Sequence, residues 1–121
     1  MTAGRRRAYR FGLQAETAAS LCLVLKGYRV LARRYRTPAG EIDLIVKRGN
    51  LVAFVEVKAR RSVADAAEAL TPRAEQRIAT AADLWLARHP AASGLMMRFD
   101  LVLVVPWRLP VHMPDAFRPP Q

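Results

Sequence analysis

Apolar positions along the chain switch between a helical and a strand-like period, and each switch marks an element. From Phe11 to Lys26 they recur as Ala18, Leu21, Cys22 and Leu25, the i, i+3, i+4, i+7 spacing of a helix face, and Gly27 is a suitable terminator. Residues 15 to 25 are so rich in apolar side chains that this helix is expected to be covered on more than one side. Tyr28 to Arg36 reads as a first strand and Thr37-Pro38-Ala39-Gly40 as a turn. Two β-branched runs follow, Glu41 to Val46 and Leu51 to Lys58, joined through Gly49-Asn50, a pair that tolerates the positive φ of two-residue hairpin loops. Arg61 to Leu70 lacks a clear period and reads as a connection. Thr71-Pro72 combines N-cap and first-turn preferences, so a second helix is expected there, with Ile78, Ala81, Ala82 and Trp85 as its buried stripe and His89-Pro90 as its end. Phe99 to Val105 is a last long strand, and Leu109 to Met113 a short edge strand bounded by Pro110 and Pro114.

Charges break three of these apolar runs, where burial without a partner is costly. Asp43 interrupts the second strand, Glu56 and Lys58 the third, and Asp100 the last. If Gly49-Asn50 is the loop, Arg48 pairs with Leu51, Asp43 falls opposite Glu56, and Glu41 falls opposite Lys58. Two carboxylates facing each other across a sheet repel unless a cation lies between them. Alternation puts Glu56 and Lys58 on one face, so two carboxylates and an ammonium converge. A hard cation such as Mg²⁺ or Mn²⁺ accepts such a partial oxygen shell, with the Val57 carbonyl as a third candidate ligand. A metal held this way acidifies a bound water and polarises a phosphoryl oxygen, while Lys58 balances charge on the phosphate. The alternative is a salt-bridged hairpin in which Glu41 simply pairs with Lys58 and Asp43 sits at a solvated edge.

Composition narrows the partner. The 20 basic residues outnumber the 10 acidic ones, giving a formal charge of +10 and a pI near 11.2, which points to a polyanion such as nucleic acid. The basic positions lie in separate clusters: Arg5 to Arg7, Arg33-Arg34 with Arg36, Arg60-Arg61, and the Arg73, Arg77 and Arg88 face of the second helix. Of these, Arg34, Arg36, Arg60, Arg61, Arg73 and Arg77 are the candidate nucleic-acid contacts. A solvated helix surface is the alternative for Arg73, Arg77 and Arg88. Residues 1 to about 10 form a basic flexible arm, and 11 to 121 make a single domain. One cysteine, Cys22, and two histidines, His89 and His112, supply no zinc ligand set. Without an apolar run of membrane-spanning length or a signal peptide, the expected location is cytoplasmic, with no membrane partner.

Glu16 is the one charge in an apolar helical window, flanked by Ala19 and Leu23, so it can point into a cleft between helix and sheet. An exposed first-turn acid at the helix dipole is the other reading. Asp100 reads as a structural cap for a neighbouring backbone rather than as a second carboxylate behind a metal.

The order helix, three-strand meander, helix, strand, with an acid on strand two and Glu-x-Lys on strand three, resembles the PD-(D/E)XK nuclease superfamily. More closely, the chain resembles the bacterial family UPF0102, the YraN family, which is similar to archaeal Holliday-junction resolvases. Gly12-x-x-x-Glu16, Gly27-Tyr28, Gly40-Glu41-Ile42-Asp43-Leu44-Ile45, Phe54-Val55-Glu56-Val57-Lys58-Ala59-Arg60, Thr71-Pro72-Arg73 and Arg98-Phe99-Asp100 carry the resemblance. It implies an α/β fold with a mixed sheet flanked by helices, a restriction-endonuclease-like core. It also implies a Mg²⁺- or Mn²⁺-dependent endonuclease acting on structured or branched DNA. In that picture Asp43 and Glu56 match the metal carboxylates, Lys58 the motif lysine and Glu16 the acid of the first helix. Ala74 stands where relatives often carry a lysine, which removes a phosphate contact. The rival reading is a nucleic-acid-binding module or accessory subunit with little catalysis. A two-fold homodimer would suit a symmetric junction, because one site per chain makes one cut.

Overall fold

The computed structural model describes residues 3–67 and 70–119. The chain runs α1 (Ala3–Leu25), β1 (Arg29–Thr37), β2 (Gly40–Arg48), β3 (Leu51–Ala59), α2 (Val63–Ala67), α3 (Pro72–Arg88), a 3-10 turn (Pro90–Ala92), β4 (Met96–Val104) and β5 (Val111–Met113). The five strands form one sheet in sequence order, antiparallel throughout except for β3 and β4. That parallel pair needs a crossover, which α2 and α3 supply. The result is an α/β fold with a mixed sheet flanked by helices, consistent with a restriction-endonuclease-like core.

Local chemistry explains most boundaries. The end of α1 is a Schellman motif: Tyr28 N–H donates to the Leu23 carbonyl and Gly27 N–H to that of Val24, both at 3.0 Å, with Gly27 at φ +93°. Gly49-Asn50 is a two-residue loop with Arg48 opposite Leu51 and Gly49 at φ +61°, so the expected hairpin register holds from Arg48–Leu51 to Leu44–Val55. Thr71 caps α3, its hydroxyl accepting the Ala74 N–H at 3.1 Å, and Pro72 opens the first turn. The connection expected over 61–70 contains α2, whose start is marked by Ser62 Oγ accepting the Asp65 N–H at 3.2 Å. Ser-x-x-Asp is the sequence sign of that cap.

Two apolar layers enclose the sheet. On one face, Ala15, Ala19 and Leu23 of α1 meet Leu44, Val46, Ala53, Val55, Val102 and Val104. On the other, Ile78, Ala81, Ala82 and Trp85 of α3 meet Ile42, Ile45, Val52 and Phe54. Residues 52–55 of β3 are buried on both faces, which is why that strand reads as a continuous apolar run. Phe54 lies edge-on to Trp85 at 5.9 Å, and truncating it to alanine would cost about 3–5 kcal/mol.

The α1 stripe departs from expectation. Ala15, Ala19 and Leu23 are buried, whereas Leu21 and Leu25 of the expected face are exposed. Alanines let the helix axis approach the sheet closely, and the abundance of apolar residues hid which face would do so. The helix also begins at Ala3, inside the segment read as an arm, where alanine and arginine are favourable extensions of an existing helix. Met1 and Thr2 of that segment, and the side chains of Arg5, Arg6 and Arg7, lie outside those described. Among the described residues, no helix is long and apolar enough to cross a membrane.

Candidate functional site

The ladder between β2 and β3 stops at Leu44–Val55, and beyond it the strands part. Asp43 enters the gap. Its Oδ2 accepts the Val57 N–H at 2.8 Å, taking the place of a backbone partner. Because a residue's N–H and C=O leave a strand on the same edge, the Val57 carbonyl is directed toward this gap too. Glu56 and Lys58 share a face of β3, and Lys58 Nζ lies 3.2 Å from Glu56 Oε1 with both side chains mostly buried. Glu41 instead pairs with Arg36 at 3.5 Å across β1 and β2. The simple Glu41–Lys58 bridge is therefore not made.

Burial and like charge act together on the two acids. Burial, the Glu56 charge and the Glu16 charge push Asp43 up to about 8, against the opposing pull of the Val57 N–H. Glu56 is raised from its ordinary value by burial, with Lys58 working in the other direction. Burial raises the proton affinity of both carboxylates and the Glu56 charge raises that of Asp43 further, and a site that favours a proton in this way also favours another cation. The donors present are all oxygen, which suits a hard divalent ion. Among the described residues, no set of three His, Cys, Asp or Glu side chains is grouped closely enough to hold an ion; Asp43, Glu56 and the Val57 carbonyl could supply only a partial oxygen shell, which water and phosphate would have to complete.

Glu16 reaches the sheet from α1 but is held by Arg34, whose Nε donates to Oε2 at 2.7 Å. Arg34 has φ +49°, an uncommon backbone for a residue with a long side chain. It lies at the rung of β1 opposite Asp43, and that rung is interrupted: Arg33–Leu44 and Tyr35–Ile42 pair on either side of it. Ile42 and Ile45, three apart, both pack on the α3 side, as do Ala32 and Tyr35. Alternation therefore slips by one residue on both strands at Arg34 and Asp43, which turns Asp43 out of the ordinary up-and-down pattern and toward β3.

The start of α3 forms the other wall. Glu41, Glu56, Ala74, Arg77 and Ile78 line a cavity of about 170 Å³. Gly40 permits this closeness, since a Cβ there would run into the Arg77 backbone carbonyl. Of the six arginines expected to contact nucleic acid, Arg73 and Arg77 are exposed at this wall, Arg61 is exposed, and Arg36 is exposed while paired with Glu41. Arg60 is half-buried, its Nη1 donating to the Ala59 carbonyl at 2.7 Å. Arg34 is engaged with Glu16, a pairing that no sequence pattern announces. Arg88 donates to the Tyr35 hydroxyl at 3.3 Å.

Asp100 serves the structure, as its place in a buried run suggests. Its carboxylate is fully buried and accepts from Arg98 through both oxygens at 2.7 Å, from the Asp115 N–H at 3.0 Å, and pairs with His112 Nε2 at 2.8 Å. Burial pushes Asp100 up, but the bonds from Arg98, His112 and Asp115 outweigh it and hold the group down at about 2. Tyr28 joins through its hydroxyl, which accepts from Arg98 at 2.6 Å. This network ties β4, β5 and the end of α1 together.

Residues 15–104 match the sequence model of the Uncharacterised protein family UPF0102. A UPF0102 protein of Mesorhizobium japonicum is 57% identical over 116 residues, covering 96% of this chain and 93% of the relative. One from Rhizobium meliloti is 56% identical over 111 residues, covering 92% and 91%. One from Bradyrhizobium sp. strain ORS 278 is 57% identical over 110 residues, covering 91% and 78%. With the matched segment reaching from α1 to the end of β4, and so including Glu16, Asp43, Glu56 and Lys58, the chain belongs to the UPF0102 family.

Proposed function

We propose that this protein is a divalent-metal-dependent phosphodiesterase, an endonuclease acting on structured or branched DNA. The observation that carries the reading is the Asp43 carboxylate lodged between parted strands, beside Glu56 and on the Val57 N–H, with the Lys58 ammonium adjacent. Asp43, Glu56 and the Val57 carbonyl would hold Mg²⁺ or Mn²⁺. When bound, the ion would polarise the scissile phosphate and acidify a water. Lys58, tethered to Glu56, supplies positive charge where the phosphate gains negative charge. Arg77, which lines the cavity, and exposed Arg73 in the first turn of α3 would position the phosphate backbone without reading bases. Glu16, charge-balanced by Arg34, keeps a third acid close to Asp43 without adding a full negative charge.

The test is cleavage of branched, nicked and single-stranded DNA, and of matching RNA, with Mg²⁺ or Mn²⁺. Wild-type protein should cleave at least one DNA topology, and Asp43→Ala or Glu56→Ala should abolish cleavage while keeping the fold. If wild-type protein cuts none of them, the hydrolytic reading is lost. The Arg34–Glu16 pair favours one rival: a nucleic-acid-binding module in which the helix acid has been withdrawn from chemistry. That rival predicts salt-dependent DNA binding that survives Glu56→Ala.

A further inference from the structure

Trp107 is fully exposed, whereas the other tryptophan, Trp85, is buried in the α3 layer. Its backbone makes the exposure more unusual. Val105-Pro106-Trp107-Arg108 is a turn closed by the Arg108 N–H donating to the Val105 carbonyl at 3.3 Å, and Trp107 has φ +66°. Proline at the second position and positive φ at the third define a type II turn, whose third position belongs to glycine. For a bulky aromatic residue that backbone is a genuine outlier. Folding alone would favour glycine here, and burial would favour tryptophan elsewhere. The side chain gains nothing from its own fold that explains its presence.

Its location supplies an explanation. Strands β3 and β4 are parallel, with Glu56 beside Leu101, Lys58 beside Leu103 and Ala59 beside Val104. The turn after β4 therefore leaves the sheet at the end that carries Glu56 and Lys58, about 15 Å beyond Glu56 by strand rise. Arg60, whose N–H donates to the Val104 carbonyl at 3.1 Å, and exposed Arg61 leave the neighbouring strand at this end, and Arg108 is exposed beside the tryptophan. An exposed indole among cationic side chains matches the surface used for single-stranded nucleic acid, where bases stack on aromatic rings and arginines follow the phosphates. At about 3.4 Å per nucleotide along a strand, the ring lies a few nucleotides from the cavity holding Glu56.

We propose that Trp107 is a stacking platform for an unpaired nucleobase, so that the preferred substrate carries an unpaired or unstacked base a few nucleotides from the scissile phosphate. This rests on the phosphodiesterase reading and assigns its substrate class. Trp107 is a binding residue and touches no reacting atom.

The experiment uses the full chain in EDTA, which separates binding from cleavage, with fluorescein-labelled single-stranded, gapped and fully paired oligonucleotides of one sequence. Anisotropy gives affinity, and intrinsic emission reports Trp107, because exposed and buried indoles emit at different wavelengths. Wild-type protein should bind the single-stranded and gapped oligonucleotides more tightly than the duplex, with saturable quenching of the exposed tryptophan. Trp107→Gly should keep or raise the thermal midpoint, lose roughly tenfold affinity for the unpaired substrates and leave duplex binding unchanged, while Trp107→Phe retains most of the affinity. A lower midpoint for Trp107→Gly would show a structural role and overturn the proposal. So would equal affinities of wild type and Trp107→Gly, absence of quenching, or an emission shift on phosphatidylglycerol vesicles without quenching by DNA. Binding that ignores Trp107 removes this role and leaves the phosphodiesterase reading intact. No binding to any oligonucleotide in EDTA overturns this role and leaves the phosphodiesterase reading to the cleavage test, and a protein that stacks but never cleaves with metal removes the hydrolytic reading alone.

Discussion

Arg34 and Asp43 occupy the same interrupted rung between β1 and β2, and each marks the point where its strand slips out of alternation. The consequence reaches both neighbouring elements. Arg34 turns to Glu16 on α1, and Asp43 turns to the Val57 N–H on β3. One rung of the sheet thus ties β1 to α1 and β2 to β3 through its two residues.

Asp43→Asn keeps the shape and still accepts the Val57 N–H, and it replaces a carboxyl that burial and Glu56 force to take up a proton on folding with an amide that is neutral at every pH. The metal-free variant should be more stable than wild type by about 1 kcal/mol, roughly 4 °C in thermal midpoint, as expected for a site that gives up stability for binding. Mn²⁺ should raise the midpoint of wild type and leave the variant unmoved. Scanning fluorimetry with and without Mn²⁺ reads both, and an equal Mn²⁺ response in the variant would exclude Asp43 as a ligand.

Arg34→Ala removes the cation that balances Glu16, whose charge already acts on Asp43. Divalent-ion affinity should rise by roughly tenfold, and metal-free stability should fall, since like charges disfavour the ionised forms. Isothermal titration with Mn²⁺ decides it. Unchanged affinity would mean that Glu16 lies electrically outside the site.

Gly40→Ala drives a methyl group into the Arg77 carbonyl and must push β2 from α3. A loss of about 1–3 kcal/mol is expected, with weakened nucleic-acid binding at the cavity mouth. Gly49 has open space around it but φ +61°, so Gly49→Asn, which tolerates that backbone, should change stability by less than about 0.5 kcal/mol. Urea denaturation of the two variants should therefore differ plainly.

Asp100 is held down at about 2, below its unfolded value near 3.8, so the folded state binds fewer protons than the unfolded chain between those values. Its contribution is fully present above pH 3.8 and is lost as the pH falls through 2; by linkage it amounts to about 2 kcal/mol. Asp100→Asn should lose about 3–5 kcal/mol at pH 7 by stranding Arg98, and its stability should vary less than that of wild type between pH 4 and 2. Parallel pH profiles for the two proteins would contradict this.

Much of the fold was legible in the residues because it rests on near neighbours. Gly27 ends α1, Gly49-Asn50 sets the hairpin register, and Thr71-Pro72 starts α3, each through bonds or dihedrals spanning a few positions. The candidate acids were legible for a related reason, since a charge inside an apolar β-run stands out against the cost of burying it. Tertiary structure alone decided which face of α1 is buried, because nearly every face is apolar and only the fit of Ala15 and Ala19 against the sheet discriminates. It also decided that Glu16 pairs with Arg34 and that Asp43 leaves the ladder for Val57. Those contacts join residues 18 and 14 apart on different elements, and the alternation slip that permits them is invisible in a run such as Leu44-Ile45-Val46, where either phase buries an apolar side chain.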